Sequence, residues 1–175
     1  MSDRKKKRAY LDDFEKDLNG NYQYRGAHYH YKGTKSRGRA LAGLWVLCGG
    51  GAALVVAAGF VPGATAYAPV WLLLPYMAAL IAALYAVVVL ARLTRGGDPM
   101  RAYIHEQTAQ KLPTLTRACA LFAVLAAAGQ GSAVFANGAQ MLLGAHGIFI
   151  LLEIFSGAAF AAAAAFSRRM RWEKE

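Results

Sequence analysis

The first residue to invite a chemical reading is a carboxyl group near the middle of a long apolar run. Glu153 is the single formal charge in Met141–Phe166, a stretch of 26 residues. An ionisable side chain at bilayer depth needs a partner, a proton or a part in moving one. His146 precedes it by seven residues, close to two helical turns, so the two share a helix face about 10 Å apart along the axis. They would form a short polar track from one membrane surface towards the midplane, with water bridging the gap.

The apolar run before it is polar in its second half, with Gly129, Gln130, Gly131 and Ser132 in succession. With Arg117 and Arg168 taken as anchors at one surface, Gln130 lies roughly 20 Å and Glu153 roughly 22 Å into the membrane. That near-equal depth predicts that the Gln130 amide faces the Glu153 carboxyl, with Ser132 or Ser156 as additional partners. A neutral Glu153 bonded in this way would act as interhelical glue worth about 1–2 kcal/mol.

Other reactive side chains are scattered. His28 and His30 have an i, i+2 spacing, which puts both on one face of a strand, but no third or fourth metal ligand lies nearby, so a solvated strand face is expected. His105 and Glu106 are adjacent and point apart on a helix. Cys48 and Cys119 fall inside apolar runs with no CxxC pair, and read as small buried apolar residues. Haem between helices generally needs two facing ligands, and only His146 lies in a span. No Ser-His-Asp set, zinc motif, P-loop or pair of carboxylates is present. The expectation is a protein without catalytic residues, metal or cofactor.

Four apolar runs must position these groups: residues 40–61, 70–91, 118–136 and 141–166. Each is long enough for a transmembrane helix, and the expected fold is an all-α integral membrane protein built on a four-helix transmembrane bundle. The chain has 175 residues, is 57% hydrophobic and has a formal net charge of +10. Its twenty Lys and Arg divide as eleven in 1–39, five in 92–117 and four in 167–175, leaving none in the intervening loops. This bias predicts that both termini and the middle loop are cytoplasmic, in a cell membrane such as the bacterial inner membrane. It also predicts contact with anionic lipid headgroups at the basic tails. No nucleic-acid recognition motif accompanies the charge. A secretory signal is not expected in residues 1–66, because the leading tail and the apolar run are both too long for one.

Glycines at 49, 50, 51, 129, 131 and 157 suggest close helix packing: Gly49, Gly50, Gly51, Gly129, Gly131 and Gly157 would let backbones approach in lipid. The second span lacks glycine and is rich in Leu, Val and Ile, which suggests greater lipid exposure. The loop 137–140 is so short that the third and fourth spans must be antiparallel neighbours. An offset of 78 aligns Arg39–Ala42 with Arg117–Ala120 and Gly51 with Gly129, as a two-plus-two duplication would.

Outside the spans, Tyr10, Leu11, Phe14 and Leu18 share one face of an expected amphipathic helix, which Asn19-Gly20 would stop. Tyr22 and Tyr24, then Tyr29 and Tyr31, alternate with polar residues around Arg25-Gly26-Ala27. This predicts a β-hairpin with its tyrosines on like faces, set against the membrane or a protein partner. In the middle loop, Asp98-Pro99 predicts the start of a helix over Pro99–Lys111.

Two functions fit these features. One is an accessory, scaffold or assembly component of a membrane complex, with a protein partner or a second copy of itself. The alternative is a subunit of a small proton- or cation-coupled transporter that uses Glu153.

Overall fold

The computed structural model describes residues 14–16, 21–62, 70–137 and 144–175. The chain is mostly helical, with four helices long and apolar enough to cross a membrane. These are α1 (Arg37–Gly59), α2 (Val70–Arg95), α4 (Leu112–Asn137) and α5 (Ala145–Arg168). A short helix, α3 (Ala102–Gln107), lies between α2 and α4. Going round the bundle, α1 packs on α2, α2 on α4, α4 on α5 and α5 on α1. The third and fourth long helices are therefore neighbours, as their short connection requires. The ring order is also the one that a two-fold axis along the bundle would need to relate two helical pairs.

Small side chains set the spacing between helices. A Cβ on Gly51 would come within 3.0 Å of the Phe160 ring, and one on Gly157 would meet the Ala120 carbonyl at 3.5 Å. These two glycines join α1 to α5 and α5 to α4. Gly50 and Gly131 face open space, and Gly49 has only Trp45 of its own helix within reach. Packing was expected at all of these positions. A run of small residues goes right round the helix, and only the positions on the inward face meet a neighbour. Ser156 and Tyr76 add polar links, donating to the backbone carbonyls of Gly51 at 3.0 Å and Val55 at 3.2 Å. Each recruits an oxygen already bonded within α1, so a hydroxyl is satisfied in the apolar interior without disturbing the helix.

Among the described residues, five short strands lie outside the bundle. Strands β1 (Phe14–Lys16) and β2 (Tyr22–Tyr24) pair antiparallel, with Phe14 opposite Tyr24 and Lys16 opposite Tyr22. Phe14–Lys16 is thus a strand where an amphipathic helix was expected; the remainder of that segment, residues 9–13 and 17–18, lies outside the described residues. The Lys16 ammonium sits 5.7 Å from the Tyr22 ring centre, a cation–π contact that this register provides.

Strand β3 (His28–Tyr31) is the centre of a three-stranded sheet with β4 (Met100–Arg101) on one side and β5 (Trp172–Lys174) on the other. His28 pairs with Arg101, and His30 with Glu173. The hairpin expected between the two tyrosine pairs does not form. Residues 25–27 part the two strands, and each finds another partner. Period-two alternation identifies a strand but carries no information about its neighbour.

The helix expected over Pro99–Lys111 is likewise shortened to α3, because Met100–Arg101 pairs with β3 before the helix begins. The sheet brings three segments to one end of the bundle: the residues before α1, the α2–α4 connection and the residues after α5. Those segments, with the helix ends that adjoin them, hold all the basic residues.

Candidate functional site

Along α5 the inward face runs through Phe149, Glu153, Ser156, Gly157, Phe160 and Ala163, all buried. Their spacing of three and four residues is the periodicity of one helix face. Glu153 is completely enclosed (0% exposed), and neither carboxylate oxygen has a hydrogen-bond partner. Towards the start of α5, Phe149 packs obliquely on the Tyr76 ring of α2, with 5.5 Å between ring centres. Towards its end, Phe160 is fully buried against Gly51. The Tyr76 hydroxyl proton is committed to the Val55 carbonyl. The acid therefore lies enclosed between two buried phenylalanines of its own helix face.

Gln130 is also buried (3% exposed), but its side-chain amide meets the His146 imidazole at Nδ1. The expected Gln130–Glu153 pair is not made. The register of α4 against α5 explains why. Gly157 lies beside Ala120 and Ala123, and Gln130 lies beside His146, so Glu153 falls one to two turns, roughly 5–10 Å, from Gln130 along the bundle. Arg117 is level with the Phe160 turn instead of with Arg168, so the two arginines do not mark a common depth. Ser132 is exposed and bonds the Gly129 carbonyl of its own helix at 2.7 Å; Ser156 is engaged with Gly51. None of the expected partners reaches the carboxyl group.

The polar track is consequently split. His146 and Gln130 form a pair near the start of α5, Glu153 lies about two turns further along it, and Phe149 stands on the same helix face between them. Phe149, Phe160 and Tyr76 were not singled out as site residues from sequence. The i, i+4 and i, i+7 spacings from Glu153 were enough to place the two phenylalanines on its face; Tyr76 on another helix carried no such signal.

A second constellation lies at the sheet. Tyr29 stacks on His105 at 4.1 Å with near-parallel rings, and Trp172 meets the same imidazole edge-on at 5.4 Å. Tyr31 packs edge-on against Trp172, while Met100 is fully buried. This aromatic layer joins β3, β5 and α3. Burial lowers the His105 pKa from its ordinary value, against a smaller opposing pull from Glu106, and His105 Nδ1 is buried without a hydrogen-bond partner.

On the other face, His30 lies between two carboxylates. Its Nδ1 is 3.3 Å from Asp98 and its Nε2 3.0 Å from Glu175. The face of His28 and His30, expected to be solvated, is half-buried, with these contacts at His30 and an edge-on packing of His28 on Tyr24 at 5.2 Å. Tyr24 also donates to the Ala27 carbonyl, and the Arg101 guanidinium lies over its ring. Of the four tyrosines, only Tyr22 stands out in solvent, at 69% exposed. Among the described residues no group of His, Cys, Asp and Glu is arranged to hold a metal ion.

No family model, curated protein or solved structure matches this chain. Its own geometry is what bears on its function.

Proposed function

We propose that this chain is a non-enzymatic accessory, scaffold or assembly component of a membrane complex, spanning a cell membrane four times with its sheet on the cytoplasmic side. The observation that carries this reading is the sheet. Three segments far apart in the chain are hydrogen-bonded into one platform at one end of the bundle, over a layer of Tyr29, His105 and Trp172. Such a platform holds a surface rigid relative to the membrane, which is what recruitment of a partner requires. The basic distribution supports the cytoplasmic assignment, and a bacterial inner membrane suits it.

The test is purification of the tagged full chain from the membranes of cells that express it, beside a variant lacking residues 172–175. The expected result is a defined membrane complex with the full chain and its loss with the variant, both chains remaining in the membrane. A full chain that purifies alone after crosslinking would overturn the proposal.

A second reading has a specific observation in its favour. A buried carboxyl group without a hydrogen-bond partner is expensive, and function is a common reason for retaining one. Glu153 would then take up and release a proton as part of a transporter. In this arrangement Phe149 and Phe160 must move to admit water. Difference infrared spectroscopy of wild type and Glu153→Gln in lipid decides the matter. A carboxyl signal that titrates in the physiological range supports transport, whereas one that stays protonated wherever the fold survives supports a structural acid.

A further inference from the structure

The lipid-facing side of α2 ends in a cleft whose chemistry is distinct from the surface around it. Ile81, Tyr85 and Val88 are exposed along that side, and Arg92 and Arg95 continue the same row at the same three- and four-residue spacing. The two arginines open into a cleft of about 250 Å³ shared with α3 and closed by Tyr103, Ile104, Gln107 and Thr108. Among the described residues neither arginine is in an ion pair or a hydrogen bond. The Thr108 hydroxyl is committed to the Ile104 carbonyl, so the available donors are two guanidinium groups and the Gln107 amide.

From this geometry we infer that the cleft is a binding site for one anionic phospholipid. The phosphate sits between Arg92 and Arg95, the headgroup against Gln107 and Tyr103, and the acyl chains along Val88, Tyr85 and Ile81.

Charge complementarity selects the ligand. Guanidinium forks bind phosphate oxygens in pairs, and two of them one helical turn apart suit a single phosphate. The cleft is smaller than the usual site for a drug-sized molecule, which fits a headgroup whose apolar part lies outside. An exposed apolar row directly below a cationic cleft is the order in which a lipid presents its own parts at the interface. The inference rests on the membrane-spanning reading but not on the scaffold reading.

The test is native mass spectrometry of the purified full chain in detergent, titrated with phosphatidylglycerol or phosphatidylcholine of the same acyl chains. Three variants are compared: Arg92→Gln/Arg95→Gln, Arg92→Lys/Arg95→Lys, and Lys35→Gln/Arg169→Gln. The last removes two charges from another basic cleft at the same end of the bundle, lined by Tyr31, Lys35 and Arg169.

Wild type is expected to retain one phosphatidylglycerol in preference to phosphatidylcholine. The glutamine pair at 92 and 95 should lower that preference about tenfold or more, while the lysine pair, which keeps the charge but loses the paired hydrogen bonds, should fall between it and wild type. The 35/169 variant should behave as wild type. An equal loss in the 35/169 variant would overturn the site in favour of diffuse charge attraction, and an unchanged preference in the 92/95 glutamine variant would overturn it outright. Competition by glycerol phosphate as potent as by the lipid would assign the cleft to a soluble phosphate and overturn the acyl-chain part. Carbonate-resistant membrane association, measured on the same variants, reports the membrane-spanning reading separately.

Discussion

At the scale of single residues, Glu153 is the position where structure and cost disagree most plainly. An unsatisfied buried polar group destabilises by about 1–3 kcal/mol. Replacing it by an apolar residue of similar size should therefore stabilise the isolated protein. We expect Glu153→Leu to raise the midpoint of unfolding in mixed micelles and Glu153→Gln to leave it close to wild type. An intramolecular hydrogen bond to Glu153 would give the reverse order, with Leu the more damaging substitution. Gly51 makes the opposite prediction. With the Phe160 ring 3.0 Å from where its Cβ would be, Gly51→Leu should cost about 1–3 kcal/mol in the same assay, while Gly50→Leu, with nothing within 4 Å, should be nearly silent. The glycines read alike in sequence because their spacing is uninformative when three occur together. Only the rotation of α1 against α5 separates them.

At the scale of elements, the long helices and the two tyrosine-bearing strands were legible, whereas the partners of those strands were not. A helix that crosses a bilayer is announced by twenty or so apolar residues, a signal held entirely within the element. The pairing of a strand has no such local signal, and β3 finds its partners some seventy and more than one hundred and forty residues away. The tyrosine alternation marked Tyr22–Tyr24 and Tyr29–Tyr31 as extended, and they are; what it lacked was Met100 and Trp172. The depth of Gln130 failed for a related reason: Arg117 lies within the length of the bundle, whereas Arg168 lies at its edge.

The sheet carries its own pH prediction. The exposed imidazole of an opened sheet takes its proton near 6.5, and the buried His105 ring only at lower pH. Between those values the opened form binds more protons. Stability of the sheet thus falls as pH drops through 6.5 and levels off once the folded ring is itself protonated. Amide protection factors at His28–Lys32, corrected for the intrinsic pH dependence of exchange, should fall over that window as pH drops. His105→Phe, which retains the stacking on Tyr29 but cannot titrate, should remove the His105 contribution to that fall; an unchanged pH response in this variant would acquit His105.

At the scale of the whole molecule, the sheet and the charge distribution speak to the same question by different physics. Lys32, Gln110 and Lys174 belong to the three segments that meet at one end of the bundle. In a background with Cys48→Ala and Cys119→Ala, single cysteines at these positions should react with an impermeant thiol reagent from the same side of sealed vesicles. A cysteine in place of Phe60, at the far end of α1, should react from the opposite side. Labelling of any of the three positions from the Phe60 side would contradict a four-span arrangement.

The position of β3 between β4 and β5 also imposes a timetable. During synthesis β3 appears before any long helix, β4 becomes available after two, and β5 only after all four. One edge of β3 is therefore open until α5 has been made, and the platform cannot close around a half-inserted chain. A binding surface that needs all three strands would be silent on every incomplete protein. Its appearance would report that the four helices are already in place.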